Sequence, residues 1–253
     1  MIDLTHIFRY PVKGLSPQPL HDVILTAGEG LPLDRSFALT RPGGSVNPEK
    51  PGWARKSNFL CLMLDAQLAE VRADFDETTR RLTVWHDGVP MLAASVDQAD
   101  GRGAIESYFQ ALVGLEAGAR PRWVAAADGE FMDSADRTVS LINLATVRAL
   151  EAKLERPLDL RRFRGNLYID GVQPWAEHQW IGATLAIGGS RCTVDRRNAR
   201  CAATNVDPAT GNRDMDIPRA LMDLFGHRDL GINLHVSAGG LVTVGDRVEV
   251  GAE

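Results

Sequence analysis

The feature of this chain that most restricts its fold is a series of short apolar or alternating runs, separated by glycine, proline, asparagine and aspartate. Alternation with a period of two places every second side chain on the same face, so such runs favour β-strands over helices. The pattern excludes a helical bundle. Strands are predicted at His6–Val12, Asp22–Thr26, Ser36–Thr40, Cys61–Ala66, Arg81–His86, Arg122–Ala125, Phe163–Ile169, Thr184–Ile187, Cys192–Asp195, Ile232–Ser237 and Arg247–Val250.

Three segments have helical spacing instead, at Asp97–Leu115, Leu144–Leu154 and Pro218–Phe225. Asn143 is a suitable N-cap for the second helix, since its side chain can accept a bond from a free backbone N–H group. The third helix has proline in its first turn and glycine just beyond its end. Many strands with few helices and no internal repeat predict a strand-rich α+β fold built on barrel-like sheets.

Net charge, apolar run length and the N-terminal sequence argue against several classes of protein. The 253 residues have a formal net charge of −5 and a pI near 5.7, whereas a general nucleic-acid-binding protein normally has a basic face. The longest clean apolar run, Phe59–Leu64, is far too short to span a bilayer. Asp3 precedes any apolar stretch, so no secretory signal is visible. We therefore expect a cytoplasmic protein without nucleic-acid or membrane partners.

Searches for common catalytic and metal motifs give little. The three cysteines, Cys61, Cys192 and Cys201, form no C-x-x-C pair, and the six histidines lack metal-ligand spacing. The sequence has no Walker A loop, no G-x-G-x-x-G after a strand and no G-x-S-x-G elbow. Cys61 and Cys192 lie in apolar strand patterns and are expected in the core.

The most informative stretch is residues 191–213, RCTVDRRNARCAATNVDPATGNR, which carries five arginines against two aspartates. Nearby guanidinium groups favour the thiolate form of Cys201, which is both a nucleophile and a soft metal ligand. The alternative is a buried cysteine with the arginines pointing to solvent. Asp207 can orient a proton donor or cap the DPATG turn, as aspartate commonly does.

Other basic positions have the same ambiguity between an anion site and a solvated surface. Along RRFRGNLYID, alternation would place Arg162, Arg164 and Asn166 on one face of a strand. Lys13 ends a predicted strand and Arg35 begins another. Residues 41–58 are predicted to form a long polar loop, and loops of that length are often functional or mobile. Residues 125–138 are the best candidate for a linker or lid.

Four motifs in this order resemble the MOSC family, which includes the C-terminal domain of molybdenum cofactor sulfurases and the mitochondrial amidoxime reducing component. They are YPVKGL, GLPLDRSFAL, RFRGNLYIDGVQPWAEHQWIGATLAIG and ARCAATNVDPATG. The resemblance implies an N-terminal β-barrel-like region at residues 1–125 and a MOSC domain at 126–253. Two positions depart from the family pattern: Asn198 in NARC, and Gly14, where the family has serine.

The resemblance also implies a cleft that holds the molybdenum cofactor, as molybdopterin or its nucleotide form. Cys201 matches the cysteine that gives sulfur to molybdenum. Ser140 resembles a further contact to the cofactor. The positions that match cofactor-binding residues of the family are Lys13, Arg35, Arg164 and Asn166 for the phosphate, and Thr204 and Asn205 for the pterin or the metal.

The function that this resemblance predicts is a molybdenum-cofactor-dependent oxidoreductase. Its substrates would be small N-hydroxylated or N-oxide-type molecules, with Cys201 ligating molybdenum and Asp207 as a candidate catalytic residue. The chain ends without a ferredoxin-like extension, so electrons would come from a separate ferredoxin- or flavin-type donor protein. Two alternatives stay open: a sulfur carrier with a persulfide on Cys201, and a cofactor carrier without catalysis.

Overall fold

The protein is a strand-rich α+β molecule, as the sequence predicts. The computed structural model describes residues 1–126, 131–133 and 135–251, so part of the predicted linker (residues 127–130 and 134) lies outside the described residues. Fifteen strands and three α-helices occur in the described part. The strands, β1 to β15 in chain order, are Asp3–Arg9, Gln18–Leu20, Asp22–Leu25, Phe37–Thr40, Val71–Asp76, Arg81–His86, Val89–Ser95, Arg122–Ala125, Val139–Asn143, Leu167–Asp170, Thr184–Ile187, Ser190–Ala199, Asp229–Ala238, Gly240–Thr243 and Val248–Val250.

An eight-stranded sheet dominates the molecule, in the order β15-β11-β12-β13-β9-β10-β1-β2. Its pairings are antiparallel except between β9 and β10, which run parallel. The first strands of the chain therefore lie in the same sheet as the last ones. The inner face buries an apolar core that includes Leu4, Leu141, Leu234 and Cys192. This confirms the prediction that Cys192 is a core residue.

A second core lies under the smaller sheets. Strands β5, β6 and β7 form an antiparallel sheet, and β4 pairs with β8. Helix α1 (Ala99–Leu112) contributes Ile105 and Phe109 to this core, where both are fully buried. Cys61 lies nearby and is also buried.

The predicted helices are confirmed, with small shifts at their ends. Helix α2 (Leu144–Leu154) has the predicted bounds, and the Asn143 side chain accepts a bond from Ala145 N at 3.0 Å. Helix α3 (Ile217–Phe225) begins one residue earlier than predicted and ends at Gly226 with a φ of +77°. Helix α1 is shorter than the predicted Asp97–Leu115. None of the helices in the described part is long and apolar enough to cross a membrane.

The prediction of a strand at Cys61–Ala66 is wrong. The Asp65 carboxylate accepts a bond from Cys61 N at 3.0 Å, and Asp65 N donates to Cys61 O at 2.8 Å. These bonds close a turn, which competes with strand pairing. The alternating residues Val71–Asp76, by contrast, form a strand that the prediction missed.

The predicted strand Phe163–Ile169 is only partly correct. A 3-10 turn covers Leu160–Phe163, and Arg164 has a φ of +51°, which lies in the left-handed region. The strand begins only at Leu167. The shared strand face predicted for Arg162, Arg164 and Asn166 is therefore wrong, because the backbone turns between them.

Candidate functional site

A cavity of about 380 Å³ is lined by residues from both the first and the second half of the chain. Its lining has a strong excess of positive charge: eight cationic side chains face one carboxylate, Asp133, among the described residues. A cleft with one sign of charge concentrates ligands of the opposite sign. The site is therefore built for an anion. The cations are Lys13, Lys56, Arg35, Arg162, Arg164, Arg196, Arg197 and Arg200.

The backbone around Lys13 fixes the position of that residue in the wall. Lys13 N donates to Phe37 O at 2.8 Å, and Val12 bridges to the same strand, β4. The next residue, Gly14, has a φ of +85°, and a Cβ there would lie 3.0 Å from Leu60 O. A larger residue at position 14 would therefore be strained in this backbone.

Two lysines share one carboxylate in what we call the lysine cluster: Lys13, Lys56 and Asp133. Lys13 Nζ donates to Asp133 Oδ1 at 2.8 Å and to Phe131 O at 2.7 Å, and Lys56 Nζ donates to Asp133 Oδ2 at 3.1 Å. Burial lowers the pKa of Lys13, and Asp133 opposes that shift. Although burial works against it, the two ammonium groups hold the pKa of Asp133 well below its usual range. Asp133 is thus held in its carboxylate form between the two lysine side chains.

The arginine cluster consists of Arg35, Arg164 and Tyr10. The guanidinium carbons of Arg35 and Arg164 lie 4.6 and 4.3 Å from the centre of the Tyr10 ring, within cation–π range. Arg35 donates to Arg164 O at 2.9 Å and pairs with Asp34, while Arg164 donates to Leu15 O at 2.7 Å. These contacts fix both guanidinium groups in the cavity wall.

Arg164 is a partly buried cation, and the ion pairs of the described residues give it no carboxylate partner. Burial lowers the pKa of Arg164 to about 10, and the neighbouring Arg35 adds to that shift. Arg164 is therefore still protonated at neutral pH, in a place where its charge is poorly compensated. An entering anion would supply the missing compensation.

Cys201 lies at the cavity, at the point where β12 has ended and the 3-10 turn Ala202–Asn205 begins. Its thiol is partly exposed and lies close enough to Lys56 to raise the pKa of that lysine. Behind it, Arg200 Nε donates to Leu230 O and Arg200 Nη1 donates to Phe163 O, each at 2.8 Å. These bonds tie the cysteine loop to two neighbouring segments. Cys192, in contrast, is fully buried, and burial raises its pKa to about 11.

The predicted site residues divide into two groups. Six of the nine line the cavity and three do not, as far as the described residues show. The members of the first group are Lys13, Arg35, Ser140, Arg164, Cys201 and Thr204, and those of the second are Asn166, Asn205 and Asp207.

The three predicted site residues that do not line the cavity support its wall. Asn166 accepts bonds from Ser140 N at 3.1 Å and from Ser140 Oγ at 2.8 Å, which positions the serine. Asn205 accepts a bond from Ile217 N at 3.0 Å, at the start of α3. The Asp207 carboxylate accepts a bond from Ala209 N at 2.8 Å and lies 3.4 Å from Arg162. This is the turn-capping arrangement that the DPATG sequence favours.

The sequence reasoning missed Lys56 and Asp133. Both lie in segments that the sequence singled out, the 41–58 loop and the candidate lid, but no spacing connected them to each other or to Cys201. A useful signal was present, because Lys56 is one of only four lysines in a chain with 24 arginines. The contact itself depends on two loops meeting in space.

A profile of the MOSC domain matches residues 128–249, from the segment before β9 to β15, and includes Cys201. Residues 128–249 of this chain form a MOSC domain. Among curated MOSC relatives, the molybdenum cofactor sulfurase of Anopheles gambiae is 32% identical over 266 aligned positions, which cover 89% of this chain and 33% of that protein. The molybdenum cofactor sulfurase of Bombyx mori is 34% identical over 113 residues, or 42% of this chain and 13% of that protein.

This MOSC chain therefore spans a third or less of the length of those two relatives. Among solved structures, the YuaD protein from Bacillus subtilis is similar with a TM-score of 0.47 and 12% identity, over 99% of this chain and 96% of that one.

Proposed function

We propose that this MOSC protein is an oxidoreductase that binds the molybdenum cofactor in the cationic cavity and reduces small N-hydroxylated or N-oxide compounds. The observation that carries the proposal is one accessible thiol, Cys201, in a cavity lined by eight cations. The names of the curated relatives connect the family with this cofactor. Electrons would come from a separate donor protein of the ferredoxin or flavin type.

The donor set fits such a cofactor chemically. A thiolate is a soft ligand that suits a transition metal such as molybdenum, and Cys201 is the cysteine of the cavity that is partly exposed. A phosphate group prefers convergent Arg and Lys donors, which Arg35, Arg164 and Lys13 provide. Ser140 and Thr204 would line the space between them.

The cofactor would supply the oxygen-atom and electron chemistry, and the chain would supply binding, orientation and electrostatics. Arg35 and Arg164 are fixed in place before any ligand arrives, so their binding costs little ordering entropy. Thr204 Oγ1 donates to Cys201 O at 2.9 Å, which keeps the cysteine loop in one conformation. Asp207 would act through this loop and through Arg162 rather than on a substrate directly.

The test is turnover by cofactor-loaded protein with an artificial electron donor, across N-hydroxy and N-oxide substrates. We expect reduction of at least one substrate class by the wild type and none by Cys201→Ala. A loaded wild-type protein that reduces none of these compounds would disprove the reductase proposal. If the cofactor is bound without turnover, the protein is a carrier.

A sulfur carrier is the second candidate, and the place of Lys56 beside Cys201 in the cavity lining favours it, because a nearby ammonium group would stabilise an anionic persulfide. The word "sulfurase" in the names of the relatives supports this alternative equally. Mass spectrometry of Cys201 peptides separates the two. An added sulfur atom on Cys201 in protein that lacks molybdenum supports the carrier, and its absence supports the reductase.

A further inference from the structure

The partners in the lysine cluster are unequally buried. The Lys13 side chain is 6% exposed, whereas that of Asp133 is 57% exposed. Lys13 is also fixed by Phe131 O and by its own backbone contact with β4. The cation is thus a permanent part of the wall, and the carboxylate reaches it from a surface segment.

A buried ammonium group is costly without a negative partner, so an anion beside Lys13 stabilises its charged form. Nothing in the geometry requires that anion to be Asp133. Ion pairs with an exposed partner contribute little to stability, which makes exchange of the carboxylate for another oxyanion inexpensive. The same carboxylate also accepts a bond from Lys56, whose pKa is raised in part by the nearby Cys201.

We propose that Asp133 is an exchangeable internal anion, which occupies the place of a ligand oxyanion between Lys13 and Lys56 and leaves when that oxyanion enters. The ligand class is a phosphate or a carboxylate. The inference deepens the proposed function, since it concerns the same cavity, but it holds for any oxyanion ligand. No bond is made or broken in the exchange.

A purely structural ion pair predicts a different result when Asp133 is neutralised. In that case Asp133→Asn lowers stability, and any gain in affinity for an added anion comes from lost charge repulsion, which does not depend on Lys56. An exchangeable anion competes with the ligand for Lys13 and Lys56, so its removal makes binding tighter only while both lysines are present. A gain in affinity that depends on Lys56 therefore decides between the two.

The experiment is isothermal titration of inorganic phosphate into the cofactor-free full chain. We expect Asp133→Asn to bind phosphate roughly tenfold more tightly than the wild type. The matched control is Asp97→Asn, because Asp97 is 56% exposed, pairs with Arg80 and does not line the cavity. It should bind as the wild type does. Unchanged or weaker binding by Asp133→Asn overturns the inference.

Lys56→Gln shows whether the anion enters the lysine cluster. We expect it to weaken phosphate binding about threefold. Combined with Asp133→Asn, it should reduce the gain in affinity, because the two residues act on the same ligand. A full tenfold gain in the double variant would place the phosphate elsewhere and contradict the inference.

None of these measurements involves molybdenum, so a protein that fails them and still binds the cofactor retains the proposed function, and the reverse also applies.

Discussion

The lysine cluster and the arginine cluster line the same cavity and have the same sign of charge, but their partners differ. Arg35 and Arg164 are fixed by backbone carbonyls, by the Tyr10 ring and, for Arg35, by the buried Asp34 carboxylate, all of which are permanent parts of the wall. Lys13 and Lys56 are joined by a carboxylate that is more than half exposed. One cluster is therefore a preorganised anion site with a buried counter-ion, and the other has an exposed counter-ion that a ligand could displace.

The two clusters should therefore contribute differently to the free energy of anion binding. Fixed donors bind an anion without first releasing anything, so they should supply most of the binding free energy. A cluster with its own counter-ion contributes only the difference between the new anion and the old one. Substitutions in the arginine cluster should accordingly have the larger effects, and they should all be losses.

The largest effect is expected for Arg164→Gln. It removes a partly buried, charge-assisted donor that has no carboxylate partner among the described ion pairs, and such bonds contribute about 1.5–3 kcal/mol. Phosphate affinity should fall by roughly 10- to 100-fold in titration of the cofactor-free chain. The control Arg148→Gln, which disrupts the surface pair with Asp170, should leave the affinity unchanged. A loss below about threefold for Arg164→Gln would refute the division between the clusters.

A smaller loss is expected for Tyr10→Leu, because the flat ring that supports both guanidinium groups disappears. Phosphate binding should weaken by about tenfold. Tyr10→Phe should bind as the wild type does, since the Tyr10 hydroxyl is buried and has no hydrogen-bond partner among the described residues. Equal losses in both variants would show that the hydroxyl, rather than the ring, is what matters.

The smallest effect concerns the pH dependence of stability. The pKa of Asp133 is held below its usual range by Lys13 and Lys56, against the effect of burial, so its stabilising contribution is present above about pH 4 and is lost as the pH falls further. Because the carboxylate is exposed, this contribution is at most about 1 kcal/mol. Chemical unfolding should show the wild type losing its advantage over Asp133→Asn between about pH 4 and pH 2. A constant difference between the two proteins would mean that the pair does not stabilise the fold.

Local sequence signals predicted the helices, whose ends depend on interactions between residues that are close in sequence. The Asn143 cap and the Gly226 stop fixed α2 and α3 to within a residue, because capping depends on neighbouring backbone groups. The strand predicted at Cys61–Ala66 failed for a related reason. Its apolar composition suits a strand, but the Asp65 carboxylate closes a turn that periodicity alone does not reveal.

The site residues that lie in family-like motifs could be predicted from the sequence, whereas those that two distant loops bring together could not. Cys201, Lys13 and Arg35 lie in segments that resemble the family, and all three line the cavity. Lys56 and Asp133 are 77 residues apart, and only the folded chain brings them together. Contacts between distant loops leave no periodic trace in a sequence.

The central claim is that the cationic cavity holds a molybdenum cofactor through Cys201. The most direct measurement is the molybdenum and pterin content of protein produced in a host that makes the cofactor, for the wild type, Cys201→Ala and Cys192→Ala. The account predicts near-equimolar molybdenum in the wild type and in Cys192→Ala, because Cys192 is a core residue away from the cavity lining, and almost none in Cys201→Ala. A wild type without molybdenum and pterin, or a Cys201→Ala variant that retains the metal, would contradict it.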